Sequence, residues 1–382
     1  MDPSRRIYVL GLGSIGRLIA YGLRTAPDVP SISVILRNET QAANFTSAGS
    51  TIGVITRDDA GTIQTDYASG FEAIALPRCR GRDIRDLVVC TKSTQVVSAL
   101  SALKESISVR SNILLLQNGM GIHGELAKLW PLGEENERPS IYIGINTHGC
   151  TMPPESGECL VEHRGVGTIE IAKMLWDTIT SQPNDEKGDD DTYMLTELTK
   201  SSLLHANCVS CTDVLKAQID KMIVNCCINP LTAFYNVPNG AVATSPQLRN
   251  ASALVIAEAV AVLSQIPELR NQLSDAARKV IFNSARLREV VLAVAMTTRF
   301  NVSSMRADVL AQRGVSEIAN LNGYIREAGE RLGIDTPANS VLADAIEVLA
   351  SGEMASERRA IVESVLGIDC SALDRELYHD CI

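Results

Sequence analysis

The sequence predicts a chain in two parts: an α/β domain built on a parallel sheet over residues 1–211, then an all-helical domain over residues 212–382. Three observations predict it. Short apolar runs alternate with helix-like segments along the first part, the pattern of strands joined by helices. A glycine-rich turn joins the first apolar run to the first helical segment. From about Thr212 onward strand signals vanish, and long amphipathic patterns rich in Ala, Leu, Glu and Arg take over.

The elements follow in order. Ile7-Tyr8-Val9-Leu10 has the length of a buried strand. Gly11-Leu12-Gly13-Ser14-Ile15-Gly16 comes next, then the helix-like Arg17 to Arg24, then the strand-like Ser31 to Leu36. Leu87-Val88-Val89-Cys90 and Ile113-Leu114-Leu115-Leu116 read as further strands with helix-like segments between them. Continuous apolar runs of this kind mark strands covered on both faces. The β-rich stretches 141–147 and 166–172 predict antiparallel strands closing the sheet. Residues 183–191 are acidic and free of apolar side chains, a solvated loop. The end of the chain from Ser351 is polar and mixed, with a helix-like stretch from Ala355 to Leu366 that packs on the helical domain or mediates self-association as a homodimer.

A length of 382 residues suits about two domains. A formal net charge of −10 with no basic run repels nucleic acid and anionic membranes, yet leaves a local Arg or Lys free to bind a small anion. The start, Met1-Asp2-Pro3-Ser4-Arg5-Arg6, lacks the apolar core of a secretory signal, and the longest apolar stretch, Ala253 to Leu263, is broken by Glu258. A cytoplasmic location is therefore expected. Cys90, Cys226 and Cys227 read as small core residues. Cys208-Val-Ser-Cys211 is a lone CxxC without a second ligand pair at zinc spacing, so no metal is expected.

The Gly11-x-Gly13-x-x-Gly16 run follows a strand and opens a helix, the context of a dinucleotide-binding, Rossmann-type turn. The first glycine permits the tight turn, the second lets backbone approach a pyrophosphate, and the third brings helix close to strand. An ordinary glycine-rich turn is the alternative. At the end of the second strand, where NAD-selective folds carry an acid, stand Arg37 and Asn38, and a cation suits the 2′-phosphate of NADP. The alternative is a surface Arg beside Glu39. Lys92 and Asn118 follow predicted parallel strands at the ends where open α/β sheets bind ligands, although each also suits an exposed turn.

Lys221, Asn225 and Asn229 recur every four residues, so on a helix they share a face within an otherwise apolar segment ending at Pro230. Ammonium and amide groups in such surroundings need partners, and a keto acid offers a carbonyl oxygen and a carboxylate. A polar stripe facing water is the alternative.

The run from Lys221 through Asn225, Asn229-Pro-Leu-Thr-Ala and Asn239-Gly240 closely resembles the most specific stretch of the ketopantoate reductase family. Ser303-Ser304-Met305, Asp308-Val309, Glu317-Ile318 and Asn322-Gly323 resemble its second signature, and the glycine turn, Arg37, Lys92 and Gln117-Asn118-Gly119-Met120-Gly121 match its first domain in order. The resemblance implies a Rossmann-type domain and a helical domain, and reduction of a branched 2-keto acid with NADPH. Lys221 would then be the catalytic proton donor. Asn225, Asn229 and Asn239 would bind substrate, with Ser304 at its carboxylate. Glu317 would help hold cofactor and catalytic groups. Asn118, Lys92 and the backbone at Gly149 would contact the cofactor, along with Gly11, Leu12, Gly13, Ser14, Ile15, Gly16 and Arg37.

Departures lie between the second-signature residues: Arg306-Ala307 stand for a usual Leu-Gln, Ala319 stands for a usual acid, and one extra residue separates Ser304 from Glu317. They leave open a same-fold reductase of another carbonyl substrate in a secondary pathway. A non-catalytic NADP-binding regulator would need only the glycine turn and Arg37.

Overall fold

The first apolar run folds as strand β1 (Arg6–Leu10), and eleven further strands follow among the described residues. They are β2 (Ser31–Leu36), β3 (Thr51–Arg57), β4 (Ile63–Ser69), β5 (Glu72–Ala75), β6 (Asp86–Val89), β7 (Asn112–Leu115), β8 (Ser140–Asn146), β9 (Gly149–Thr151), β10 (Leu160–Gly165), β11 (Ile169–Lys173) and β12 (Ala206–Cys208). The structure is a computed structural model that describes residues 5–57, 61–131, 138–153, 159–174, 176, 192–314, 317–352, 356–369 and 371–373.

One sheet has eight strands in the order β12-β11-β8-β7-β6-β1-β2-β5. The six from β5 to β8 are parallel, and β11 runs antiparallel to β8. The chain builds outward from β1 to β2 and β5, then crosses back to β6 on the other side of β1. Between β1 and β6 the direction of winding reverses, and beyond the carboxyl ends of the strands at such a point open α/β sheets bind ligands.

The apolar runs are continuous because both faces of this sheet are covered. Ile7 and Val9 join one core with Leu18, Ile19 and Leu23 of the helix Ser14–Arg24. Tyr8 and Leu10 join the other with Val96 and Leu100 of the helix Ser93–Ala102. Burying each such aliphatic side chain contributes about 1.5–3 kcal/mol relative to exposure.

The region between β2 and β6 is not helix alone. After the helix Glu39–Ser47 come the antiparallel pair β3 and β4 and the edge strand β5. β3 and β4 enter a second sheet, in the order β4-β3-β10-β9. Its buried side chains Ile52, Val54, Ala68 and Val161 pack into the core that holds the helix Ser14–Arg24. That helix is therefore clamped between two sheets.

From Cys211 onward the described residues contain helices and turns and no strand. Their core is one cluster that includes Ile223, Cys227, Val255, Ala259, Val291, Ile325, Leu342 and Ile346. Glu258, which interrupts the longest apolar stretch, accepts hydrogen bonds from the N–H groups of Ala338 (2.8 Å) and Asn339 (2.9 Å). It caps the helix Pro337–Ser351, whose own N-cap Thr336 offers no side-chain acceptor.

Within the tail, the helix Ser356–Leu366 is present, and Val362, Leu366, Ile368 and Leu373 are buried in the helical core, so this part packs on the helices. The acidic run 183–191 lies outside the described residues. Among the described residues no helix is long and apolar enough to cross a membrane.

The described residues form two compact units. Those up to Gln117, 122–176 and 192–214 make the first, and Asn118–Gly121 with the residues from Leu215 onward make the second. The sequence alone placed the boundary after residue 211 and kept Asn118 with the sheet.

Candidate active site

In the first unit the glycine turn has the geometry its spacing implies. Gly11 takes φ +92°, and a Cβ there would meet Thr91 Cγ2 at 2.9 Å. A Cβ on Gly16 would stand 1.9 Å from the Gly11 carbonyl oxygen, so helix and turn touch through bare backbone. Gly13 differs: a Cβ there would meet nothing within 4 Å. No protein neighbour explains this glycine, whereas close approach of a ligand would. Gly13 is also the N-cap of the helix Ser14–Arg24 and supplies no side-chain cap, leaving the first-turn N–H groups to an incoming anion. Leu12 and Ile15 are half-buried against the core beneath, and Ser14 opens the helix.

Sequence reasoning missed three residues around this turn. Arg17 donates from Nε to the Leu12 carbonyl (3.0 Å) and from Nη1 to the Leu160 carbonyl of β10 (2.6 Å), tying the turn to the second sheet. Thr91 Oγ1 and Gln117 Oε1, just past β6 and β7, are buried without hydrogen-bond partners. Buried polar atoms are rarely left so, and two orphans at strand ends fit a polar group not made of protein. The strand-end rule could have pointed to both, and Gln117 also stands at the head of the Asn118 motif.

The cofactor residues proposed for the strand ends fall as follows. Arg37 is exposed just past β2, and its N–H donates to Gln41 Oε1 (3.2 Å). Its neighbour Glu39 is engaged by Arg78 Nε at 2.5 Å, so the nearby acid is directed to another partner. Among the described residues Arg37 has no ion pair, which suits a cation kept for a phosphate. Lys92 is half-buried and precedes the helix Ser93–Ala102. Gly149 begins β9 in the second sheet, against Gly165, and β9 packs on the helix Ser14–Arg24.

In the second unit the helix Cys211–Tyr235 carries Lys221, Asn225 and Asn229 on one face. Lys221 and Asn225 are half-buried and Asn229 is buried, while Met222, Ile223, Cys226 and Cys227 turn into the core. Two turns stand beside this helix. Gln218 Nε2 donates to the Gly119 carbonyl (3.1 Å), holding the Asn118–Gly121 turn to it. Asn118 Nδ2 in turn donates to Glu317 Oε2 (3.2 Å) in the turn Glu317–Asn320. Gly119 takes φ +89°, and a Cβ there would lie 2.6 Å from the Asn320 carbonyl oxygen, so only glycine lets the turns meet.

Burial pulls the Lys221 ammonium down from the usual 10.5 to about 8, and the charge of Glu317 pulls the other way. An amine that titrates near 8 can give up a proton near neutral pH, the property needed of a general acid. Lys221, Glu317 and Asn118 thus form one constellation.

The remaining predicted residues lie elsewhere in this unit. Asn239 is buried, its Nδ2 committed to Thr298 Oγ1 (3.1 Å) and its Oδ1 unpartnered. Ser304 is exposed at the start of the helix Ser304–Leu310, whose N-cap is Ser303. Ser303 Oγ is hydrogen-bonded to Thr232 Oγ1 (2.7 Å), which anchors Ser304's helix to the lysine helix. Arg306, one of the departures, donates from Nε to Asn236 Oδ1 (2.9 Å). Cys208 ends β12, and Cys211 Sγ donates to the Lys173 carbonyl (3.3 Å).

The chain has a glycine turn on a parallel sheet and a half-buried lysine on a helix of a separate unit, and its named relatives place it among oxidoreductases acting on CH–OH groups. The family profile described as ketopantoate reductase PanE/ApbA matches residues 7–176, and that of its C-terminal part matches residues 213–350. The chain belongs to the ketopantoate reductase family. It is 31% identical to the 2-dehydropantoate 2-reductase of Bacillus subtilis over 90% of this chain and 97% of that one. It is 30% identical to a probable 2-dehydropantoate 2-reductase of Schizosaccharomyces pombe over 88% of this chain and 94% of that one. Among solved structures, a probable 2-dehydropantoate 2-reductase from Bacillus subtilis aligns at TM-score 0.64 and 28% identity, covering 90% of this chain and 99% of that one. D-mandelate dehydrogenase shares the fold at TM-score 0.70 and 18% identity, over 91% of this chain and 99% of that one.

Proposed function

We propose that the protein reduces a branched 2-keto acid to the 2-hydroxy acid with NADPH, its substrate being 2-dehydropantoate and its product pantoate, a step of pantothenate biosynthesis. The observation that carries this reading is the half-buried Lys221, pulled down to about 8, facing Glu317 and sharing a helix face with Asn225 and Asn229. The curated relatives carry the choice of substrate.

The glycine turn and the helix N-terminus behind it hold the pyrophosphate, and Arg37 holds the 2′-phosphate. Bound NADPH supplies the hydride. Lys221 Nζ donates a proton to the substrate's carbonyl oxygen as negative charge develops there, stabilising it in surroundings of low polarity. Asn225 and Asn229 orient the substrate, and Ser304 receives its carboxylate. Glu317, held by Asn118, keeps a negative charge near the ammonium and so favours its protonated form.

The test follows NADPH absorbance with 2-dehydropantoate, a panel of other branched 2-keto acids, and an NADH control. Turnover confined to 2-dehydropantoate supports the proposal. Turnover on another acid keeps the chemistry and changes the substrate. No turnover, with tight NADPH binding, overturns the enzymatic reading in favour of a cofactor-binding regulator.

Arg37→Asp is expected to lower kcat/KM for NADPH relative to NADH roughly 10- to 100-fold, the scale of one lost charge-assisted hydrogen bond. Steady-state kinetics with both cofactors check this, and an unchanged ratio assigns the 2′-phosphate to another residue.

A further inference from the structure

We propose that Asn322 is a positioning residue of the reductase site: it gives the Cys226 carbonyl the hydrogen bond that Pro230 withholds, and so locks the lysine helix to the turn that carries Glu317. The proposal rests on the reading of Lys221 and Glu317 as working groups of that site.

In a helix the carbonyl of residue 226 accepts from the N–H of residue 230. Here residue 230 is proline, inside the helix Cys211–Tyr235, and it has no N–H. Cys226 is fully buried, so water does not stand in, and an unpaired carbonyl there is strongly unfavourable. Asn322 Nδ2 donates to that carbonyl at 3.1 Å.

The amide is held in this orientation from behind. Asn322 Nδ2 also donates to Asn339 Oδ1 (3.0 Å), and Asn339 Nδ2 donates to the Val255 carbonyl (3.2 Å) and to Glu258 Oε2 (2.8 Å). Every acceptor in this chain faces a nitrogen, which fixes both amide orientations. Asn322 and Asn339 are both fully buried, and Asn322 Oδ1 has no partner. A fully buried amide with one orphaned atom is a poor choice for packing alone. What explains the residue is its donor.

The position gives the bond its consequence. Cys226 adjoins Asn225 and lies five residues past Lys221, while Asn322 begins its helix two residues after the end of the turn Glu317–Asn320. The two halves of the constellation are separate in sequence, and this bond joins the elements that carry them.

The full chain is tested as wild type, Asn322→Ala, and Asn322→Ala/Pro230→Ala, the last restoring an N–H to the helix. Two quantities are read: kcat and KM for the keto acid, and, on ligand-free protein, the pH midpoint for acetylation of Lys221 followed by peptide mass spectrometry. Asn322→Ala is expected to lower kcat at least about tenfold with a smaller change in KM, as a loosened catalytic geometry does. The labelling midpoint rises from about 8 toward 10.5 as water reaches the freed carbonyl. The double variant brings the midpoint back toward wild type, since the carbonyl is paired again, but leaves kcat low, since no bond then joins the two elements. An unchanged or lowered midpoint in Asn322→Ala, no return of the midpoint in the double variant, or a wild-type kcat in either variant overturns the proposal. Should Asn322→Ala fail to fold, the double variant is expected to fold, and its failure also overturns it. If the wild type reduces no keto acid, the functional reading falls while the labelling midpoints still judge Asn322.

Discussion

Replacing Lys221 with alanine is expected to lower kcat at least about a hundredfold, the usual scale for a lost general acid, while NADPH binding stays intact. The two effects separate because Lys221 belongs to the helical unit and the glycine turn and Arg37 to the other. On the proposed reading the same group sets the pH dependence. The proton donor must be charged, and burial has lowered Lys221 to about 8. Reduction is therefore fastest below that value and declines as pH rises through it, and this alkaline limb vanishes in Lys221→Ala. Stopped-flow kinetics across pH, with fluorescence titration of NADPH, read both quantities. Full turnover in the variant would remove Lys221 from the chemistry.

Gly16→Ala is expected to weaken the fold and Gly13→Ala to leave it unchanged. At Gly16 the added Cβ would stand 1.9 Å from the Gly11 carbonyl, and the helix Ser14–Arg24 cannot retreat easily because Leu18, Ile19 and Leu23 are fully buried between two sheets. Overpacking of this kind costs about 1–3 kcal/mol of stability. The displaced helix N-terminus should also lower kcat/KM for NADPH by about a hundredfold. At Gly13 the added Cβ meets no protein atom within 4 Å, and the backbone there is extended at φ −68°. Gly13→Ala should keep the stability of the wild type and weaken NADPH binding alone. Chemical denaturation and cofactor titration of both variants form the check. If Gly13→Ala binds NADPH as wild type does, the open space above the turn is not where the pyrophosphate lies.

Much of this molecule was legible as sequence. β1, β2, β6 and β7 were readable because a strand buried on both faces must be apolar throughout, and that requirement leaves a continuous run. The glycine turn was readable because each glycine answers a local steric demand. Lys221, Asn225 and Asn229 were readable as one face because helical spacing alone aligns them. The hairpin β3–β4 was not. Most of β4 is exposed and polar, and the hairpin is completed by β10, whose Leu160 pairs with Gly53 of β3. Such a strand is set by its partner and not by its own composition.

Four features were decided by tertiary structure alone. Asn118 meets Glu317 across 199 positions, and Asn322 reaches the carbonyl freed by Pro230 across 96. Arg17 reaches Leu160 across 143. The descent of Lys221 to about 8 comes from the packing around it. Periodicity tells which face of an element is buried, and motif spacing tells which side chains share that face. Neither tells what is packed against it, because hydrogen bonding and desolvation depend on distances in space between residues that the chain itself keeps far apart.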